Sequence, residues 1–330
     1  MFEEEQEYPV TRFNSKYEIF ASNFEKSLLE YKNPKGLIKI TKTGISASPY
    51  VELALGLELI VKNAFSYQLG KNGKVYNVLK HQIDCKVEQN NPFVLSTFDT
   101  VFFLEILLTK DYWFIFNILE KAVLIPNVSY TFLKGIFKQI LLDEFKDLRR
   151  KYCVNKDIGD KIDRWSENDT YMEHILMPRL NWLYDMNLIL LKKDLSFTPT
   201  DYGISLFESL SKWNYYAGHI ITSAEEYVKK YYLQSINKVF DFNKKVFNFA
   251  NDSDILNMYL DECFDLFKTL APNRTTFSLF AKFSKMMLFF KHSIVIDEDE
   301  IKALFESELN TQYIFRYQKQ YKDGYLQKIV

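Results

Sequence analysis

The stretch MPRLNWLYDMNLILLKKDLSFTPTDYGISLFESL, Met177 to Leu210, changes its apolar period twice, and no single regular element accommodates both periods. Leu180, Leu183 and Met186 fall on one helical face. Leu188 to Leu191 and Leu195 to Phe197 then form short extended runs on either side of the polar break Lys192, Lys193, Asp194. The pattern predicts helix, hairpin, helix. Pro178 fits the first turn of the first helix, and Thr200 or Asp201 can cap the second by accepting an orphan backbone N–H.

The residues Arg179-Leu180-Asn181-Trp182-Leu183-Tyr184-Asp185-Met186-Asn187-Leu188-Ile189, followed by the hairpin and by Phe197-Thr198-Pro199-Thr200-Asp201-Tyr202-Gly203, resemble the helix-to-wing run of the winged helix-turn-helix superfamily. Asn187 stands where that family often has glycine, and both residues tolerate the left-handed backbone of a helix end. The resemblance implies that the helix before the wing enters a DNA major groove. Arg179, Asn181 and Tyr184 are then candidate groove contacts, and Lys192 and Lys193 candidate phosphate contacts. It also leaves open a protein-binding role, since fold alone does not decide function. On the bland alternative, Arg179 pairs with a carboxylate such as Glu173 and the lysines are ordinary solvated residues.

Around this stretch the chain has 330 residues, 47% hydrophobic and 17% aromatic, enough for two or three compact cores. Ten glycines and eight prolines are few, which favours helices joined by short connections. Forty-two basic against forty-three acidic residues give a net charge of -1, so any nucleic-acid surface must be a local patch. Cys85, Cys153 and Cys263 lack paired spacing, and the acidic start MFEEEQEYPV lacks the order of a signal peptide. A cytoplasmic location is expected. The apolar run Val101 to Ile125 is broken by charges at Glu105, Lys110, Asp111, Glu120 and Lys121, so no membrane span is expected.

In chain order, helical spacing covers Asn14 to Lys32, with Ser15 and Glu18 as a capping pair, and a β-like run covers Leu37 to Ile40. Ser48 is positioned to cap a helix opening at Pro49. Leu55-Gly56-Leu57 ends that helix, Leu59 to Val61 extends, Asn63 turns and Phe65 to Leu69 returns, which suggests a second winged helix near 37–80. Lys71-Asn72-Gly73-Lys74 is equally readable as a hairpin tip before Val75 to Leu79. Ser96 and Asp99 cap a helix through Thr109, Asp111 to Leu124 forms another, and Ser129 to Lys151 a long amphipathic third. Arg149, Arg150 and Lys151 end it as a basic cluster, either DNA-facing or simply complementing the helix dipole. Asn155 to Trp165 and Asp169 to Leu176 supply short helices.

Beyond Trp213, helical spacing covers Ile220 to Ile236, Val239 to Phe249 and Ile255 to Leu270, and Pro272 interrupts it. A helix over Thr275 to Phe290, a strand over His292 to Ile296 and a helix over Glu298 to Leu309 follow. Strands Tyr313 to Tyr317 and Tyr325 to Val330 flank the turn signal Asp323-Gly324, with Lys319, Lys322 and Lys328 around the loop. A third winged helix over 275–330 fits this order, as does a covered terminal hairpin.

Chemistry-bearing patterns are sparse. His81, His174, His219 and His292 have no metal-ligand spacing, and no Gly-rich phosphate loop or nucleophile elbow occurs. Asp84-Cys85-Lys86 and Glu144-Phe145-Lys146 have the local form of a metal-dependent nuclease motif, but 85 charged residues make such matches commonplace. The expected fold is mainly α with small β-hairpins, as tandem winged-helix modules joined by helical segments. Its expected domains are 1–127, 128–211 and 212–330. The leading function is non-catalytic duplex-DNA binding without a cofactor. The first alternative is a protein-interaction subunit of a DNA-organising or antiviral-defence complex, resembling accessory subunits of SMC-type ATPases. The second is a nuclease component.

Overall fold

A computed structural model describes residues 8–9, 48–64, 66–83, 95–152, 169–212, 224–268, 274–306, 313–318, 320 and 323–329. Among them 67% are helical and the strands form small sheets, as the periodicity predicts. No described helix is long and apolar enough to cross a membrane. The expectations over Asn14 to Lys32, Leu37 to Ile40, Asn155 to Trp165, and at Asp84-Cys85-Lys86, Lys319 and Lys322 lie outside the described residues.

The first module comprises β1 (Tyr8–Pro9), α1 (Ser48–Gly56), β2 (Ile60–Lys62), β3 (Ser66–Leu69) and α2 (Lys71–Ile83). Ser48 is the first described residue of α1, and its side chain, expected to cap the helix, lies outside the described residues. Lys71 to Leu79 is helix, so the hairpin-tip alternative for Asn72-Gly73 is overturned. Hairpin β2–β3 instead turns around Asn63, whose N–H donates to Ser66 O at 2.8 Å.

The second module comprises α3 (Thr97–Leu124), β4 (Val128–Ser129), α4 (Tyr130–Tyr152), α5 (Asp169–Asp185), β5 (Ile189–Leu191), β6 (Ser196–Pro199) and α6 (Asp201–Ser211). The two helices expected between Ser96 and Leu124 meet at a kink at Asp111 (φ −132°, ψ 23°) within α3, which opens on the Ser96–Asp99 capping box. On α4, Tyr130, Leu133, Phe137 and Leu141 are buried as expected, while Ile140 is half-buried.

The third portion comprises α7 (Ala224–Val239), β7 (Lys245–Val246), α8 (Phe249–Phe267), β8 (Arg274–Thr276), α9 (Phe277–Lys291), β9 (Ile294–Val295), α10 (Glu298–Glu306), β10 (Tyr313–Gln318) and β11 (Asp323–Lys328). Three findings correct the sequence reading. Val239 to Phe249 is not helix: Phe242 N donates to Asn237 O at 3.1 Å with Asp241 at φ 50°, which stops α7, and β7 then pairs in parallel with β9. Arg274–Thr276 is a strand ahead of α9. Asp323-Gly324 is paired with Gln318 and Tyr317 inside the ladder and is not a turn.

Each three-stranded sheet has one order: β1-β3-β2, β4-β6-β5 and β8-β11-β10, so the first strand always lies beside the last. The first two modules share a finer joint. Leu188 N donates to Leu183 O (2.8 Å) and Asn187 N to Tyr184 O (3.0 Å), with Asn187 at φ 57°. In the first module Leu59 N donates to Ala54 O (2.9 Å) and Glu58 N to Leu55 O (3.0 Å), with Glu58 at φ 56°. Both are helix stops that satisfy orphan carbonyls through a left-handed residue. The next helix then crosses the strand start so closely that a Cβ on Gly203 would overlap the Leu188 carbonyl, and one on Gly73 the Leu59 carbonyl.

Packing divides the chain into two compact units. One gathers Tyr50–Glu88 and Lys229–Val330, and the other contains Gln89–Val228. In the first, Val75 and Leu79 of α2 are buried, as are Phe277, Phe280 and Phe283 of α9. Lys71 pairs with Asp323 at 3.0 Å, and Lys282 Nζ donates to Asn72 Oδ1 at 3.0 Å. In the second, Phe102, Leu104, Leu119, Phe137, Leu180, Leu183, Leu188, Phe197 and Leu206 are fully buried.

Replacing Gly203 with Ala is expected to destabilise the protein by about 1 to 3 kcal/mol, since the carbonyl in the way is backbone and cannot rotate aside. Gly135 on α4 has nothing within 4 Å of a built Cβ. Gly135→Ala should therefore stabilise by about 0.5 to 1 kcal/mol. Urea unfolding midpoints of the two variants should move in opposite directions.

Candidate nucleic-acid interface

The site that the sequence singles out is helix α5 and the hairpin β5–β6. Leu180, Leu183, Leu188 and Phe197 are each fully buried, so the apolar seam holds helix and hairpin together as expected. Pro178 does not open the helix. It lies inside α5, which begins at Asp169, so Arg179 and Asn181 sit in the middle of a long helix and not at its electropositive N-terminus.

That position decides their roles. Asn181 is 3% exposed, and its amide donates to Met177 O at 2.8 Å. It is removed from the groove-contact set because a buried amide with a backbone partner cannot reach a base edge. Arg179 Nε donates to Asp111 Oδ2 at 2.6 Å and Arg179 Nη2 to Asp111 Oδ1 at 2.8 Å, a bidentate pair. Its third donor meets Ile175 O at 2.5 Å, and the guanidinium lies 4.2 Å from the Phe114 ring centroid. Burial raises the Asp111 carboxyl pKa, with the Arg179 charge and hydrogen bonds pulling against it. The side chain of the expected alternative partner, Glu173, lies outside the described residues. The kink of α3 supplies Asp111 from 68 residues away.

Tyr184 is half-buried. The described remainder of the outer α5 surface consists of Ile175, Met177, Pro178 and Asp185, all half-buried, and carries no cation. The side chains of Arg149, Arg150 and Lys151, and of Glu144-Phe145-Lys146, lie outside the described residues, although the backbone there is helical.

The β5–β6 hairpin keeps its lysines in solvent. Lys192 and Lys193 are exposed, and Lys192 Nζ donates to Asn127 Oδ1 at 2.6 Å. Asp194 shapes the turn by accepting from Ser196 N (3.0 Å) and Ser196 Oγ (2.7 Å), bonds that lower its pKa. Leu195 takes φ 61° to complete the reversal. Apolar side chains are exposed on and beside this hairpin: Leu190 at 52%, Leu195 at 37% and Phe132 at 49%. The N–H of Tyr130, two residues before Phe132, donates to Leu195 O at 3.1 Å, which brings the start of α4 against the hairpin loop.

Thr200 is the N-cap of α6, its Oγ accepting from Gly203 N at 3.1 Å. Asp111 is the residue that sequence reasoning missed. Its only signal was the break in helical spacing after Thr109. No family model, curated protein or solved structure matches the chain.

Arg179→Ala leaves the Asp111 carboxylate buried without its cation. It is expected to cost about 3 to 5 kcal/mol of stability, the magnitude for breaking a buried pair. Thermal and urea unfolding should both register the loss, and an unchanged midpoint would return Arg179 to the candidate contacts.

Proposed function

We propose that the chain is a non-catalytic subunit built from tandem winged-helix modules, and that the second module binds a protein partner rather than reading a DNA groove. The common sheet order in the three modules supports the winged-helix reading. The observation that carries the partner reading is the reversal of roles around α5. The expected groove contacts Arg179 and Asn181 are engaged internally, while Leu190, Leu195 and Phe132 are exposed at the wing. Apolar groups gain little from a phosphate backbone but supply the core of a protein interface. A place in a DNA-organising or antiviral-defence complex is the setting in which such modules serve as platforms.

Duplex binding through the wing is the second reading, favoured by the exposure of Lys192 and Lys193. Two experiments separate them. In the partner reading, affinity purification from the native cell yields a stoichiometric partner that Phe132→Asp loses. Duplex affinity then shows almost no dependence on Lys192→Ala with Lys193→Ala. In the duplex reading that double variant weakens binding to all sequences and reduces the log–log salt slope by up to about 2.

A further inference from the structure

The sheet β8–β11–β10 differs from the other two in length and in what its outer face carries. The ladder places Ile314, Gln327 and Arg274 in one cross-strand row and Arg316, Tyr325 and Thr276 in the next. Paired residues share a face, and the opposite face holds Leu326, Thr275 and Tyr313, all buried. The outer rows therefore look away from the core. Arg274 stacks its guanidinium 4.2 Å from the Tyr325 ring centroid, and its Nε donates to Gln327 Oε1 at 3.2 Å. Arg316 is exposed, and its side chain makes no ion pair or hydrogen bond among the described residues.

One carboxylate, Asp323, shares this face among the described residues of the three strands. It is already held by Lys71 at 3.0 Å and by Ser278 Oγ at 2.5 Å. The face is thus locally cationic on a chain whose net charge is -1. Strands lie about 4.8 Å apart and residues rise about 3.4 Å, so the backbones of Arg316 and Arg274, two strands and one row apart, are separated by roughly 12 Å, with Tyr325 beside Arg316 in its row. Such a surface offers phosphates the exposed Arg316 guanidinium and offers bases flat partners, the Tyr325 ring and the planar Arg274 stacked on it. A duplex hides its base faces and cannot use the stack. An acidic peptide meets the charges but has no matching planar groups.

We infer that the outer face of this terminal sheet, centred on Arg274, Arg316 and Tyr325, is a binding platform for single-stranded nucleic acid. The inference stands apart from the partner reading of the second module, since it uses none of that module's residues.

The test is fluorescence anisotropy of the full chain with a labelled twelve-nucleotide oligo(dT). A duplex of the same length and a labelled poly-glutamate peptide serve as competitors. The single strand should bind more tightly than either. Arg316→Ala should reduce the log–log salt slope by about 0.7, the value for one lost phosphate contact on a single strand. Tyr325→Leu should weaken binding by at least about 5-fold, as loss of one stacking surface does. Far-ultraviolet circular dichroism and the unfolding midpoint establish that both variants are folded.

The inference is overturned if duplex or poly-glutamate competes as well as oligo(dT), or if the folded variants bind like the wild type. It is also overturned if the affinity depends on Lys192→Ala with Lys193→Ala, which assigns binding to the wing. Failure of oligo(dT) to bind rejects this platform while leaving the partner reading to its own purification experiment.

Discussion

The carbonyl of Leu188 ties the second module together. Its oxygen accepts the N–H of Thr200 at 3.1 Å, while Thr200 Oγ1 donates to the carbonyl of the preceding Asn187 at 2.7 Å. The end of α5, the start of the β5–β6 hairpin and the start of α6 therefore converge on two consecutive peptide groups. Convergence at that distance needs a left-handed residue to stop the first helix and a residue without Cβ in the first turn of the last. Asn187 and Gly203 meet those demands, and Glu58 and Gly73 meet them in the first module. Glu58 carries a side chain in a backbone region that glycine or asparagine occupies more cheaply. Its persistence there shows that the joint geometry outweighs local preference.

Once that joint fixes the exit of α5, the helix has one face against the core and another against the kinked α3. The kink at Asp111 matters because a straight helix would continue its hydrogen-bond ladder through that turn. Thr109 Oγ1 also donates to Glu105 O at 2.8 Å, a side-chain bond of the kind that accompanies helix bends. The bent α3 supplies the bidentate carboxylate to Arg179, and the Phe114 ring covers the guanidinium plane. A charge so held is a structural wedge: its five donors are largely used, and its planar face is shielded.

Periodicity made the helices and hairpins legible because burial of one face is a local signal. Leu180, Leu183, Leu188 and Phe197 could be assigned to a core from spacing alone, and Ser96 and Asp99 to a cap from their separation. Engagement of polar side chains was not legible in the same way. Arg179 has the same sequence neighbours whether it faces solvent or Asp111, and its partner comes from another helix far along the chain. Asn181 looked accessible because Pro178 suggested a helix start. With α5 beginning at Asp169, the same residue falls on the buried face. At Asp323-Gly324 the local turn preference was overridden by six paired residues on each strand, which carry the reversal beyond the dipeptide.

Strand length separates the three sheets more than their common order joins them. β2 and β5 have three residues each and β3 and β6 four, so each strand turns at most two side chains outward. In β5–β6 the cross-strand row Leu190–Thr198 lies on the face opposite the buried Ile189 and Phe197, so that hairpin presents Leu190 and the loop lysines but no second outward row. β10 and β11 have six residues each and add β8 alongside. The extra length places Arg316 and Tyr325 in one row and Gln327 and Arg274 in the next, where the stack between Arg274 and Tyr325 bridges the rows. The same strand order thus yields a tip in one module and a surface in another, and the chemistry that each can perform follows from how many residues the ladder holds.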